Sequence, residues 1–552
     1  MSGQSDRRGG RTDPAAAPGT DAVGGAGGTV DVTAGPAADA VPARDTSEAA
    51  ANDMRRSHVR GSTLLVVGRV VTIMFTTATA VILVRALTKE DFGAFAYALA
   101  LASAGRTVLS LGQGKVLSQF MAKYEDQGDH DRMFGAMFLA FGTIIATSIL
   151  LIGSMLLFPG LLIGSAVDSS TTQRVVLILV VLAPLEAFDQ VFLSLFAVFG
   201  KPRAIFFRKY LLTPGLRLVI VLILALTGAS VTFLAAGYLA AGVIGLAVYV
   251  WVFAQTMREA GLLRHLRPRQ VVLPFRAVFS FSFPLISSEL FLLSLTVGGV
   301  FILGAFASAT EVADYRAVFN PARLNNAVHT AFLPLFLPLA ARLFARSDTE
   351  GLRRSYWQTA AFVAVLSFPI FALTGPLAPN LTVLLFGERY AESAVIMAVL
   401  AVGYYFSVVL GFNQYTLQVC ERIRFLAVAY ISVTVLNLAL AFLLVHRYGG
   451  LGVAIANMSA MVALNLINQW ALRKTIGTSL IDARCRRCFL VILVAAVGLW
   501  TFQVLVEPGL VVAGLAAAVA SLLVLVLSRD AIELGDSFPE LRRVKFLRWL
   551  VR

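Results

Sequence analysis

Six ionisable side chains stand inside long apolar runs of this sequence: Arg69, Arg106 and Arg323, and Glu186, Asp189 and Glu289. A charge at the centre of a bilayer costs about 2.5–3.5 kcal/mol or more, so each needs a partner, a wet cavity or a ligand. Guanidinium presents planar donors that grip phosphate oxygens in pairs, and it stays protonated at any biological pH. The three arginines therefore predict contact with an anionic, phosphate-like cargo. Their other readings are pairing with a carboxylate or reaching out to lipid headgroups. Glu186 and Asp189 are three apart, on one helical face, and Glu289 follows Pro284 by five residues. Such carboxylates either couple to a proton or Na⁺, or neutralise the arginines. Arg217 lies near the end of its apolar run and is expected to reach the headgroups.

The elements that must position these groups follow from composition. Hydrophobic residues make up 58% and charged residues 14% of 552, and mean hydropathy is +0.79. Soluble domains run near half apolar and a quarter charged. The chain is therefore expected to be an all-α polytopic membrane protein, because lipid offers backbone N–H and C=O groups no partners. Fourteen spans are predicted, at 62–84, 93–113, 133–158, 175–199, 211–228, 232–254, 278–305, 314–340, 357–377, 393–419, 425–445, 450–471, 489–505 and 509–527. Residues 1–58 lack the branched and aromatic side chains of a core and read as a disordered tail. Residues 528–552 interleave basic and apolar side chains, as an interfacial amphipathic segment does.

Lys and Arg set the expected orientation. Loops of one parity hold 23 of them. The alternate loops hold only Arg85, Lys89, Arg174, Arg316, Arg389 and Arg447. The rich side is expected to be cytoplasmic, with both termini there, so the net charge of +14 belongs to loops and predicts no nucleic-acid partner.

A weak repeat recurs at an offset of 220. Ile82-Leu83-Val84 pairs with Ile302-Leu303-Gly304, and Asp91-Phe92-Gly93-Ala94 with Glu311-Val312-Ala313-Asp314. Arg106 and Arg323 fall within a turn of equivalent positions. Internal repeats of this kind place a cargo site between transporter lobes.

Enzymatic signals are weak. Cys485-Arg486-Arg487-Cys488 lacks the further ligands a zinc site needs. Gly112-Gln113-Gly114-Lys115 departs from the phosphate-binding loop, with Leu109 and Val116 at decisive positions. Asn380-Leu381-Thr382 is a formal glycosylation sequon. No cofactor, metal or catalytic residue is expected, and no loop is long enough for a membrane glycosyltransferase's catalytic domain.

Arg85-Ala86-Leu87-Thr88-Lys89-Glu90-Asp91-Phe92-Gly93 and Leu111-Gly112-Gln113-Gly114 resemble the opening of Wzx-type polysaccharide exporters of the MOP superfamily. Phe281-Ser282-Phe283-Pro284, Tyr315-Arg316-Ala317, Leu384-Leu385-Phe386-Gly387 and Tyr448-Gly449-Gly450-Leu451-Gly452 extend the likeness over 60–530. The resemblance implies two six-helix lobes, here 59–260 and 261–475, around a central cavity, with an additional helix pair at 476–527. It implies flipping of undecaprenyl-diphosphate-linked oligosaccharide in a bacterial plasma membrane. Arg69, Arg106 and Arg323 lie on the helices whose arginines meet the diphosphate in the lipid II branch. Implied partners are the lipid-linked glycan, membrane lipids and a glycan polymerase or glycosyltransferases. A MATE-like drug exporter or a non-transporting scaffold are the alternatives.

Overall fold

A computed structural model describes residues 68, 71–110, 113–157, 170–199, 205–259, 261–262, 271–275, 287–479 and 481–529. The expectations on the 1–58 tail, Arg69, Pro284 and nearly all of the 528–552 segment fall outside these residues.

Helices α1 (Val71–Ala86) and α2 (Lys89–Ser110) meet at a two-residue turn. Thr88 stops the chain there. Its hydroxyl accepts from the Asp91 amide at 3.1 Å and donates to the Asp91 carboxylate at 2.9 Å, capping an otherwise orphan N–H. There follow α3 (Gln113–Asp126), α4 (His130–Leu157), α5 (Ser170–Val180) and α6 (Leu182–Val198). Next come α7 (Phe206–Thr227), which opens with a π-helical stretch over Phe206–Leu212, and α8 (Val231–Glu259).

The C-terminal half repeats the opening. Helix α9 (Ser287–Phe306) turns into α10 (Ala309–Ala322), and Ser308 accepts from the Glu311 amide at 3.3 Å. Both helix ends, both helix starts and both caps are 220 residues apart. Pro321 cannot donate to its helix, and a 3₁₀ turn at Arg323–Asn325 separates α10 from α11 (Asn326–Ala345). Helices α12 (Thr349–Thr374), α13 (Ala378–Phe386), α14 (Ser393–Leu410) and α15 (Phe412–Val419) follow. The chain continues through α16 (Ile423–Ile476), α17 (Ala483–Val506) and α18 (Leu510–Leu527).

Helix α16 is interrupted at Gly449, whose φ of 49° and ψ of −129° suit only a residue without Cβ. The Gly450 amide freed by the break donates to Glu311 at 2.8 Å, which pins α16 to α10. Asn457 holds the same pair deeper down, donating to the Tyr315 hydroxyl at 2.6 Å.

No strand occurs among the described residues. Twelve described helical runs are long and apolar enough to cross a membrane. The expected spans 425–445 and 450–471 lie within the run Ile423–Ile476 on either side of the break at Gly449, and only the shorter Val71–Ala86 is described for span 62–84. Large apolar side chains lie bare along the outer faces, as at Leu226 (85% exposed) and Leu505 (77%). Water would not tolerate such surface, whereas lipid matches it. The chain is a multi-pass membrane protein.

The halves meet where α2 crosses α10. A Cβ on Gly93 would collide with the Ala309 carbonyl, so glycine sets the closeness of this crossing. Tyr97 packs edge-on against Phe301 at 5.9 Å beside it.

Candidate functional site

Within the N-terminal half, charges converge on α6. Glu186 receives Arg217 of α7 at 3.0 Å and Arg106 of α2 at 3.8 Å. One turn on, Asp189 pairs closely with Arg208, whose guanidinium also lies 4.6 Å from the Tyr249 ring centre. Arg217 stacks over Tyr238 at 5.0 Å. Both carboxylates thus face arginines in this conformation.

Two of these arginines depart from expectation. Arg208 precedes the expected span 211–228 and so counts among the loop cations, and Arg217 was expected at the headgroups. The π-helical start carries α7 back to Phe206, which buries Arg208 and moves Arg217 to mid-helix. From that depth its side chain turns inward to a carboxylate instead of outward to a phosphate headgroup.

Helix α10 and the 3₁₀ turn at its end carry a second set of cations. Arg316 and Arg323 are seven residues apart, two turns of one helical face. The fully buried ring of Phe319 lies between them, 5.1 Å from the Arg316 guanidinium and 5.9 Å from that of Arg323. Neither pairs with a carboxylate among the described residues.

Each lines a different hollow. Arg316 borders a cavity of about 170 Å³ between the halves, together with Thr79 and Ala96 of the first two helices, Arg217, Tyr238 and Asn320. Ala96 stands 220 residues before Arg316, so the repeat places a methyl opposite a guanidinium. Arg323 borders a chamber of about 680 Å³ inside the C-terminal half, built by α9, α11, α14, α15 and α16. Glu289 and His329 open into the same chamber.

A latch closes the halves at the end bearing the α1–α2 turn. Lys89 reaches Asp314 at 2.7 Å, and Asp314 accepts from Ser393 at 2.9 Å. Arg85 donates to the Leu385 carbonyl at 2.8 Å, while Arg389 returns a bond to the Val84 carbonyl. Lys89 and Arg389 both lie over the ring of Tyr390, at 4.9 and 5.3 Å. Burial pushes the Tyr390 phenol up to about 12, so the ring under these cations stays neutral.

Of the sequence-derived candidates, Arg106, Glu186 and Asp189 gather in the N-terminal half, Arg323 and Glu289 share the chamber, and Arg106 borders neither hollow. Sequence reasoning passed over Arg316 by counting it among loop charges. The signal was present, since it lies inside the expected span 314–340 at a helical multiple from Arg323. Asn380 of the sequon donates to the Pro508 carbonyl at 2.6 Å, tying α13 to the α17–α18 turn.

Residues 58–343 match the polysaccharide biosynthesis protein family. The chain belongs to this family. No curated protein sequence matches it. Solved structures share its fold at low identity. A structure of the lipid II flippase MurJ, in an inward closed conformation, superposes with a TM-score of 0.66 at 11% identity, covering 88% of this chain and 99% of that one. An inward-facing multidrug resistance MATE family transporter of the MOP superfamily gives 0.60 at 16%, covering 74% and 94%. A MATE transporter from Vibrio cholerae gives 0.51 at 14%, covering 77% and 98%. This member of the polysaccharide biosynthesis family has the MOP superfamily transporter fold, which places the latch, the cavity between the halves and the chamber on one architecture.

Proposed function

We propose that this membrane transporter is a flippase, carrying undecaprenyl-diphosphate-linked oligosaccharide across the bacterial plasma membrane by alternating access for cell-surface polysaccharide synthesis. The observation that carries the reading is the pair Arg316 and Arg323. Two cations stand on one helix face inside the bundle, each bordering a hollow, with no carboxylate partner among the described residues. An uncompensated guanidinium at membrane depth calls for an anion, and a diphosphate supplies one with matching oxygen geometry.

In this reading the Lys/Arg-poor turns lie outside, both termini are cytoplasmic, and the latch seals the outer side. The lipid headgroup enters from the cytoplasm and meets Arg323. It passes about 10 Å along α10, seven residues at 1.5 Å rise, to Arg316 and Arg217. Parting of the two halves at the latch then releases it outward, while the prenyl chain stays in lipid. Export of a cationic drug fits less well, because arginine lines the cavity between the halves and the nearby carboxylates already face arginines. The implied partners are the lipid-linked glycan, membrane lipids and the glycosyltransferases or polymerase that make and use it. Arg69 and Arg106 are further diphosphate contacts in this proposal, and Glu186, Asp189 and Glu289 pair charges or couple an ion.

The test is translocation of a fluorescent undecaprenyl-diphosphate oligosaccharide in proteoliposomes. Wild type is compared with Arg69→Ala, Arg106→Ala, Arg316→Gln and Arg323→Ala. Flipping that collapses in the arginine variants while they remain folded supports the reading. Wild-type flipping no faster than in empty liposomes, across several glycans and imposed ion gradients, overturns it.

A further inference from the structure

The chamber in the C-terminal half holds more chemistry than one phosphate contact requires. Three tyrosine rings, Tyr404, Tyr415 and Tyr430, border it, and so do the amides of Gln414 and Gln418. His329 is 6% exposed, and its Nε2, at the chamber wall, has no hydrogen-bond partner. Its ring is held against Phe412 at 4.6 Å and Tyr415 at 5.8 Å. Gln414 accepts from the Tyr430 hydroxyl at 2.8 Å and also hydrogen-bonds to Tyr415, so the amide and both phenols are held together at the chamber wall. Membrane interiors do not keep such groups dry without cause, because each unmade hydrogen bond costs stability.

We propose that this chamber is a saccharide-reading site, taking the first sugar residues of the lipid-linked substrate; the inference rests on the flippase reading. A pyranose ring has an apolar C–H face and an equator of hydroxyls. Aromatic rings match the face, and amides and a neutral imidazole match the hydroxyls as both donors and acceptors. The volume of about 680 Å³ lies within the range of pockets that enclose a small ligand, roughly 300–1,000 Å³. Arg323 stands at the same wall, so the phosphate end and the sugar end of one headgroup are served together. Glycan selection therefore belongs to this half of the molecule, and charge recognition is shared with the cavity between the halves.

The experiment measures binding to the purified full-length chain in nanodiscs, using undecaprenyl diphosphate and the same lipid bearing a disaccharide. Wild type is expected to bind the sugar-bearing lipid about tenfold more tightly. Gln418→Leu, at an exposed position, and Tyr415→Leu are each expected to erase that gain and leave bare-lipid affinity unchanged, with melting temperature as the folding control. Equal affinity of wild type for the two lipids overturns the inference, as does a gain that survives both substitutions. Binding of the bare lipid in those cases leaves the flippase reading standing. Failure of wild type to bind either lipid overturns both.

Discussion

Arg316 and Arg323 share one aromatic ring, that of Phe319, at 5.1 and 5.9 Å from their guanidinium carbons. Like charges repel, yet α10 and the turn that ends it keep both because the ring's negative face attracts each cation. An anion bound at either hollow gains from both fields. Arg316→Gln and Arg323→Gln are each expected to weaken headgroup binding roughly tenfold or more, from loss of a charge-assisted hydrogen bond worth about 1.5–3 kcal/mol. Melting temperature should hold, since neither side chain carries an ion pair among the described residues. A large loss of stability with unchanged binding would reverse the assignment.

Asp189 and Arg208 form the most deeply buried ion pair described, with side-chain exposures of 18% and 6%. Removing one member strands the other in the bundle. Asp189→Asn is expected to cost about 3–5 kcal/mol. A double-mutant cycle with Arg208→Met, read by unfolding in detergent, should recover part of that loss. Additive losses would mean the contact contributes no coupling.

The latch pair Lys89–Asp314 is partly exposed, at 26% and 19%, and solvent screening leaves it about 0.2–1 kcal/mol. Asp314→Asn should therefore shift the closed state only a few-fold. The readout is maleimide labelling of a cysteine introduced at Ala96, which borders the cavity beneath the latch. Labelling is expected to rise two- to fivefold, roughly the conversion of that energy, with high salt giving part of the same rise in wild type. Unchanged labelling would place the seal elsewhere, at the arginine-to-carbonyl bonds of Arg85 and Arg389.

Gly449 occupies a backbone region that side chains avoid. Gly449→Ala is expected to destabilise the protein by about 1–3 kcal/mol. It should also weaken the Glu311 bond to the Gly450 amide that joins α16 to α10. Glu311→Gln keeps the acceptor and should lose less than Glu311→Ala in the same thermal assay.

Helix placement was open to sequence reasoning because it rests on local physics. Apolar run length acts within consecutive residues, and the 220-residue offset repeats one local pattern, a helix end followed by a short polar turn and a new helix start. Each leaves a mark in consecutive residues, so the all-helical membrane class and the repeated opening could be read directly. The kinship of Tyr315-Arg316-Ala317 with polysaccharide exporters was visible in the same way, and the family match bears that resemblance out.

The fates of individual charges were not local. Arg217 and Glu186 are 31 residues apart, and Lys89 and Asp314 are 225 apart, so only packing decides that they touch. The sequence could say that charges stand inside apolar runs and need compensation. It could not say that Arg208 and Arg217 would be satisfied within the N-terminal half while Arg316 and Arg323 would not. That division depends on how far a π-helical start extends α7 and on which face α10 turns to its neighbours. Both are set by the summed packing of helices distant in the chain, and buried charges follow that packing because they are too few to dictate it.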